Sequence, residues 1–164
     1  MTTTMPWLQQ LFARELRAFG DELQLFPHEA QLWQTVPGVT NAAGTLALHV
    51  SGNLQHYIGR VLGGSSYERD RPREFSARDV PRDDVLAELA RASAVVQTVL
   101  PTLDDAALDA QYPEQLNGVW IPTGLFLLHL SNHLAHHLGQ AGYLRRVLTG
   151  VNQSSGALAL SALR

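Results

Sequence analysis

The chain of 164 residues contains no cysteine. This absence excludes disulfides, a thiolate nucleophile and a cysteine-ligated zinc site, so any thiol chemistry would need a thiol from outside the protein. Basic residues are not in excess either, because twelve Lys and Arg residues against fifteen Asp and Glu residues give a formal net charge of -3. A nucleic-acid partner is therefore not expected.

Long hydrophobic runs are missing as well. The most apolar stretch, residues 124–130, is interrupted by His129 and followed by His133, and it falls short of the roughly 18 apolar residues that a membrane span needs. The N-terminal residues show no basic region followed by an apolar run, as a signal peptide would. We therefore expect no membrane partner and a cytoplasmic location.

Apolar residues recur at helical spacing in four long stretches, and no stretch alternates like a strand. The predicted helices begin near Pro6, Asn41, Pro81 and Pro122, and they end before Pro27, Gly63, Pro101 and Gly150. This pattern predicts an all-α fold, a four-helix bundle with a long crossover between its second and third helices. We expect residues 1–150 to form the bundle and residues 151–164 to form a C-terminal tail, either packed or disordered.

The predicted crossover, residues 63–80, is rich in charged side chains of both signs. Arginines alternate there with acidic residues, in the order Glu68, Arg69, Asp70, Arg71, Arg73 and Glu74. Because the charges nearly cancel, the segment predicts a solvated loop rather than a core element or an anion site.

Four of the seven histidines lie within nine residues near the end of the chain. Residues four apart share one face of a helix, so His133 and His137 can present two imidazoles to one point. His136 is turned by about 100° from His137 and should face elsewhere. A single histidine on an apolar face is ordinarily a core residue, but two buried together need a shared partner, and a cation supplies one.

Acidic residues are absent from residues 38–67 and 117–150, which contain both histidine helices. This absence disfavours the di-iron carboxylate bundles, and Leu134 stands where zinc peptidases have their general-base glutamate. What remains is a neutral, all-histidine site. Its third ligand is expected from the apolar stripe of the second helix, where His49 is better placed than His56.

Two segments resemble the signatures of the DinB superfamily of bacterial bundle metalloproteins, also called DinB/YfiT-like. They are residues 41–55, which surround His49, and residues 133–140, which begin with His133 and His137 and end in Gly-Gln. The resemblance covers roughly residues 5–150. It implies a four-helix bundle whose metal triad carries over to His49, His133 and His137. The chain departs from the pattern at Leu138, where many relatives have a polar residue.

The resemblance also implies a divalent metal ion, a small-molecule substrate and a homodimer. Imidazole ligands suit zinc, nickel and iron, and zinc or nickel is favoured. Members of the family include thiol-dependent transferases and a maleylpyruvate isomerase that use low-molecular-weight thiols. Three neutral imidazoles leave the charge of the ion uncompensated, so a thiolate is an attractive further ligand.

Three functions stay open at this point. The first is a metal-dependent thiol S-transferase-like enzyme that acts on small electrophiles. The second is a hydrolase or isomerase that uses metal-bound water, and the third is a non-catalytic, stress-related metal-binding protein. No catalytic residue is assigned from the sequence. Three polar residues are candidates for hydrogen-bonding a ligand or lining the cavity: Asn53, His129 and Gln140. A structural role is an equal alternative for Asn53 and Gln140, and for His129 a position at the rim of the bundle is favoured.

Overall fold

The computed structural model describes residues 4–156 and 159–163, and its regular elements there are all helical. The α-helices are α1 (Thr4–Gln24), α2 (Ala43–Leu54), α3 (Arg71–Ser76), α4 (Arg82–Val99), α5 (Asp105–Asp109) and α6 (Thr123–Thr149). The π-helix Gln55–Leu62 follows α2 directly, and short 3-10 helices cover Glu29–Trp33, Leu100–Thr102 and Leu160–Leu163. The predicted all-α class is confirmed.

The four longest helices enclose one apolar core. Helix α1 packs against α4 and α6, and α2 packs against the same two helices. Each helix contributes a buried apolar stripe, which includes Phe12, Phe19, Leu46, Leu54, Leu89, Val96, Leu127 and Leu134. Burial of one such side chain stabilises the fold by about 1.5–3 kcal/mol, so these stripes fix which face of α2 meets α6.

The helices begin and end close to the residues that the sequence predicts, with one exception. Gly150 ends α6 in the left-handed region with φ of 69°, and its N–H donates to the carbonyl of Arg146. The N-cap of α2 is Ala42 rather than the predicted Asn41, and no side chain caps that helix. In the part of the chain that the structure describes, no helix is both long and apolar enough to cross a bilayer.

The segment between α2 and α4 is not the solvated loop that its charges predict. It contains α3, which begins after Asp70, whose Oδ1 accepts a hydrogen bond of 3.0 Å from Arg73 N. Helix α3 packs against α2, and Glu74 within it is only 6% exposed. The prediction was wrong here because two of the alternating charges, Arg69 and Glu74, turn inward and pair with each other instead of facing solvent.

The chain that follows α6 is tied back to the helix by Arg145, which is fully buried. Its Nε donates to Glu22 Oε2 on α1 at 2.6 Å, and its terminal nitrogens donate to the carbonyls of Val151, at 3.1 Å, and Gln153. The first residues of the predicted tail are thus held against the helices. Residues 157, 158 and 164 of that tail lie outside the described residues.

Candidate metal centre

Three histidines from two helices converge on one point. The Nε2 atom of His133 on α6 lies 3.2 Å from His49 Nε2 on α2 and 3.0 Å from His137 Nε2. One ring nitrogen from each histidine lies within 4.8 Å of the other two. The packing of α2 against α6 and the four-residue spacing within α6 together place the three side chains that the sequence predicts as ligands.

The hydrogen bonds of the outer ring nitrogens fix where the lone pairs point. His49 Nδ1 lies 3.0 Å from Glu74 Oε2, and His137 Nδ1 lies 2.7 Å from Gln140 Oε1. A carboxylate or amide oxygen accepts, so both Nδ1 atoms carry the proton and both Nε2 atoms face His133 with a lone pair. A single N–H on His133 can satisfy only one of them. The arrangement therefore fits a cation shared by the three imidazoles.

Two of the three nitrogen separations fit a divalent ion directly. Two imidazole nitrogens that each lie about 2.0–2.1 Å from one zinc ion are separated by roughly 3 Å, and the Nε2 separations of 3.0 and 3.2 Å agree with this. Burial lowers the pKa of His133 to about 3, and the neighbouring histidines act in the same direction. Burial also lowers the pKa of His137. Both rings are therefore neutral at pH 7, as metal ligands must be.

A buried ion pair from the charged segment orients His49. Glu74 accepts from His49 through Oε2, and Arg69 donates to the same carboxylate through Nε at 2.7 Å and Nη2 at 2.9 Å. Burial alone would raise the pKa of Glu74, but the hydrogen bonds from His49 and Arg69 outweigh it and hold the pKa below its usual value. The ionised carboxylate keeps His49 Nδ1 protonated and leaves Nε2 free.

Glycine at position 52 makes room for this carboxylate. Gly52 lies in the interior of α2, and a Cβ atom built on it would overlap the side chain of Glu74. Glycine inside a helix costs about 0.5–1 kcal/mol relative to alanine, so its use here has a packing reason. Glu74 and Arg69 are the site residues that the sequence patterns did not reveal, and Gly52 is the one local signal of a close neighbour.

The other predicted site residues surround the triad on different sides. Gln140 is exposed and holds His137, as above. His129 stacks against His133, with ring centroids 6.1 Å apart and an interplanar angle of 24°. Asn53 and His129 line the same cavity beside His133. His136 is exposed and does not belong to the group of three nitrogens.

His56 also lies apart from the triad. Its Nε2 is 3.7 Å from Glu114 Oε2, in the loop that precedes α6. The structure therefore brings together the histidines at 49, 133 and 137 and places His56, in the π-helix that follows α2, against a different partner.

Comparison with known proteins supports the same interpretation. The sequence profile of the DinB superfamily matches residues 11–141, which include all three histidines, Gly52 and Glu74. No curated protein matches the chain significantly in sequence. The family match spans well over half of the 164 residues and confirms the resemblance seen in the sequence. The chain therefore belongs to the DinB superfamily.

Proposed function

We propose that this protein binds one divalent metal ion through His49, His133 and His137, and that it is a metal-dependent thiol S-transferase-like enzyme acting on small electrophiles. The observation that carries the metal site is the convergence of three Nε2 atoms, two of which hold lone pairs towards the third. The family and the histidine cluster both fit a metal-binding helical protein.

The donor set favours zinc or nickel over iron. Imidazole suits all three metals, but non-haem iron sites characteristically add a carboxylate to two histidines. The nearest carboxylate, Glu74, is turned to the outer nitrogen of His49 and held there by Arg69. It is therefore engaged as a support of His49 and leaves the three imidazoles as the donor set.

The charge balance of the site supports a thiol as the further ligand. Three neutral imidazoles contribute no charge, and the charge of Glu74 is matched by that of Arg69. The charge of a divalent ion in this environment would remain uncompensated, and the ion would therefore attract an anion. When bound, such an ion supplies one chemistry that the chain lacks, since it lowers the pKa of a thiol and presents it as a thiolate. With no cysteine in the chain, the thiol must be a small molecule.

The same observations weigh against hydrolysis. A carboxylate base would help to take a proton from water, although a bound metal ion already lowers the pKa of that water. Glu74 is not free for this role because it accepts hydrogen bonds from His49 and Arg69 on both of its oxygens. The chain's own residues do support binding and orientation: Glu74 and Gln140 hold two of the imidazoles, and the cavity lined by Asn53 and His129 gives a small substrate access to His133.

We also infer that the four longest helices form a four-helix bundle with a long crossover between α2 and α4. The packing of both α1 and α2 against α4 and α6 supports this arrangement. Residues 1–150 would then be the bundle and residues 151–164 a tail that Arg145 fastens at its start.

The metal site is tested by replacing its ligands one at a time. We expect His49→Ala and His137→Ala each to lower zinc or nickel affinity about 100-fold or more, because the loss of a mere support residue already costs 10–100-fold. His136→Ala, on an exposed neighbour, is the matched control and should bind like the wild type. Metal content by elemental analysis and affinity by calorimetry measure this. If His136→Ala lost the metal while His49→Ala and His137→Ala retained it, the site would lie on another face of α6.

The support of His49 is tested without touching a ligand. Glu74→Gln should weaken metal binding by about 10–100-fold, because an amide no longer fixes the imidazole as strongly. Gly52→Ala should act in the same direction, since its methyl group displaces the carboxylate. Glu68→Gln, an exposed neighbour in the same segment, is the control for charge. Equal affinities for all three variants and the wild type would contradict the role of Glu74.

The proposed activity is tested with the metal-loaded protein. We expect glutathione, bacillithiol or mycothiol to be consumed with a panel of small alkyl and aryl halides, with S-conjugates detected by mass spectrometry. His137→Ala should lose this turnover together with its metal. Turnover that persists without any thiol would favour a hydrolase or isomerase instead, and bound metal with no chemistry in either screen would favour a non-catalytic metal-binding protein.

A homodimer is supported by apolar side chains at the start of α6. Leu125 is 55% and Leu128 is 46% exposed, and both border a groove that Thr4 and Leu8 of α1 complete. We expect light scattering to give about twice the chain mass of 18.0 kDa, and Leu128→Glu to halve it. Tyr143→Glu, exposed near the other end of α6, is the control. A wild-type mass of one chain would contradict the dimer.

A further inference from the structure

The cavity beside His133 has features that select the charge of its ligand. It lies between α2 with the π-helix that follows it, the loop between α5 and α6, and α6 itself. Its volume is about 470 Å³, a size typical of small-molecule sites. We call it the α2–α6 cavity. Its walls include Asn53, Tyr57, Glu114, Phe126, His129 and His133. One wall of the cavity is thus formed by His133 of the triad. The other lining residues can contact the part of a ligand that does not reach the metal site.

Asn53 offers the cavity a buried acceptor. The residue is 8% exposed, and its Oδ1 has no hydrogen-bond partner among the residues that the structure describes. Asn53 follows His49 by one helical turn, so this acceptor lies close to the triad along α2. A buried carbonyl oxygen without a donor is unfavourable, and an N–H or O–H group of a ligand would satisfy it.

Glu114 adds a half-exposed negative charge to the cavity, and no arginine of the described residues forms an ion pair with it. Its closest cationic candidate is His56, whose Nε2 lies 3.7 Å from Glu114 Oε2. Burial lowers the pKa of His56 below its usual value, so this imidazole is neutral at pH 7. The half-exposed carboxylate of Glu114 therefore borders the cavity without a paired cation among the described residues.

No permanently charged cation among the described residues is placed to receive an anion there. The chain has no lysine, and no arginine of residues 4–156 and 159–163 lines the cavity. Arg69 lies across the ring of Tyr57, 5.6 Å from its centroid, but it is paired with Glu74 through two hydrogen bonds. Beyond the triad, a ligand thus meets the buried acceptor of Asn53 and the carboxylate of Glu114, together with the polar side chains of Tyr57, Gln115, Asn117 and His129.

The loop that carries Glu114 is fixed in place. Tyr112 Oη donates to the carbonyl of Tyr57 at 2.7 Å, and Tyr112 N donates to the carbonyl of Ile121 at 2.9 Å. Leu116 N donates to the carbonyl of Val119 at 2.9 Å, which closes the turn. Glu114 therefore lies between two hydrogen-bonded residues, Tyr112 and Leu116, which keep it beside the cavity.

From this arrangement we propose that the α2–α6 cavity selects an amine-bearing thiol, with the sulfur at the triad and the ammonium or amide N–H groups at Glu114 and Asn53. Glu114 is the specificity-determining residue, and it disfavours thiols whose remainder is anionic. This inference rests on the proposed function, because it takes the thiol to be the group that reaches the triad.

The test uses matched thiols and does not depend on turnover. Cobalt(II)-loaded protein is titrated with 2-aminoethanethiol against 3-mercaptopropionate and with 6-aminohexanethiol against 6-mercaptohexanoate, and the near-ultraviolet thiolate-to-cobalt absorption reports binding. Two chain lengths are used because the ligand must span from the triad to Glu114. We expect the amine to bind about tenfold more tightly than the carboxylate at one length or both, a difference of about 1.4 kcal/mol.

Variants separate specificity from metal binding. Glu114→Gln should reduce the preference for the amine to near unity, and Asn53→Ala should weaken the amines. Asp83→Asn, an exposed charge in the first turn of α4, is the charge-matched control and should keep the preference. Equal or tighter binding of the carboxylates, or a preference that survives in Glu114→Gln, would overturn this inference alone. No absorption change with any thiol would overturn the thiol function together with it.

Discussion

The site depends on one hydrogen bond, from His49 Nδ1 to the buried carboxylate of Glu74. It decides which nitrogen of His49 carries the proton, and so which nitrogen faces α6 with a lone pair. The bond is useful only while the carboxylate is ionised, and Arg69 ensures this with its two donors. A buried carboxylate without that partner would cost several kcal/mol. The orientation of the His49 imidazole thus depends on the ion pair between Glu74 and Arg69.

This single contact explains features that otherwise look unrelated. The charged segment after α2 folds into α3 because it must deliver Glu74 to the flank of that helix, and Asp70 starts α3 by capping it. Gly52 has no side chain because the carboxylate occupies that space. The pair of Glu74 and Arg69 also adds no net charge, so the electrostatic demand of a bound ion is left for an exogenous ligand to meet.

The histidine triad was predictable from the sequence because its information is local. His133 and His137 share a face by spacing alone, and His49 stands out on an apolar stripe that had to pack against something. Glu74 was not predictable in this way, since it lies 25 residues from His49 in a segment with no apolar period. A segment of alternating charges is ordinarily exposed to solvent, and only its tertiary contacts show that Glu74 is buried. The N-cap of α2 was missed by one residue, which is within the usual ambiguity of helix ends.

The placement of Glu74 on a six-residue helix separates two tasks that many metal sites combine. The long helices supply the ligands, and because they pack closely in the core, few substitutions are tolerated in them. The short helix supplies the support, and it sits on a mostly exposed connection where substitutions and insertions are readily accepted. Natural variation in that connection can therefore adjust how firmly an ion is held while the ligands and the core stay the same, which gives this scaffold an adjustable affinity at little risk to its folding.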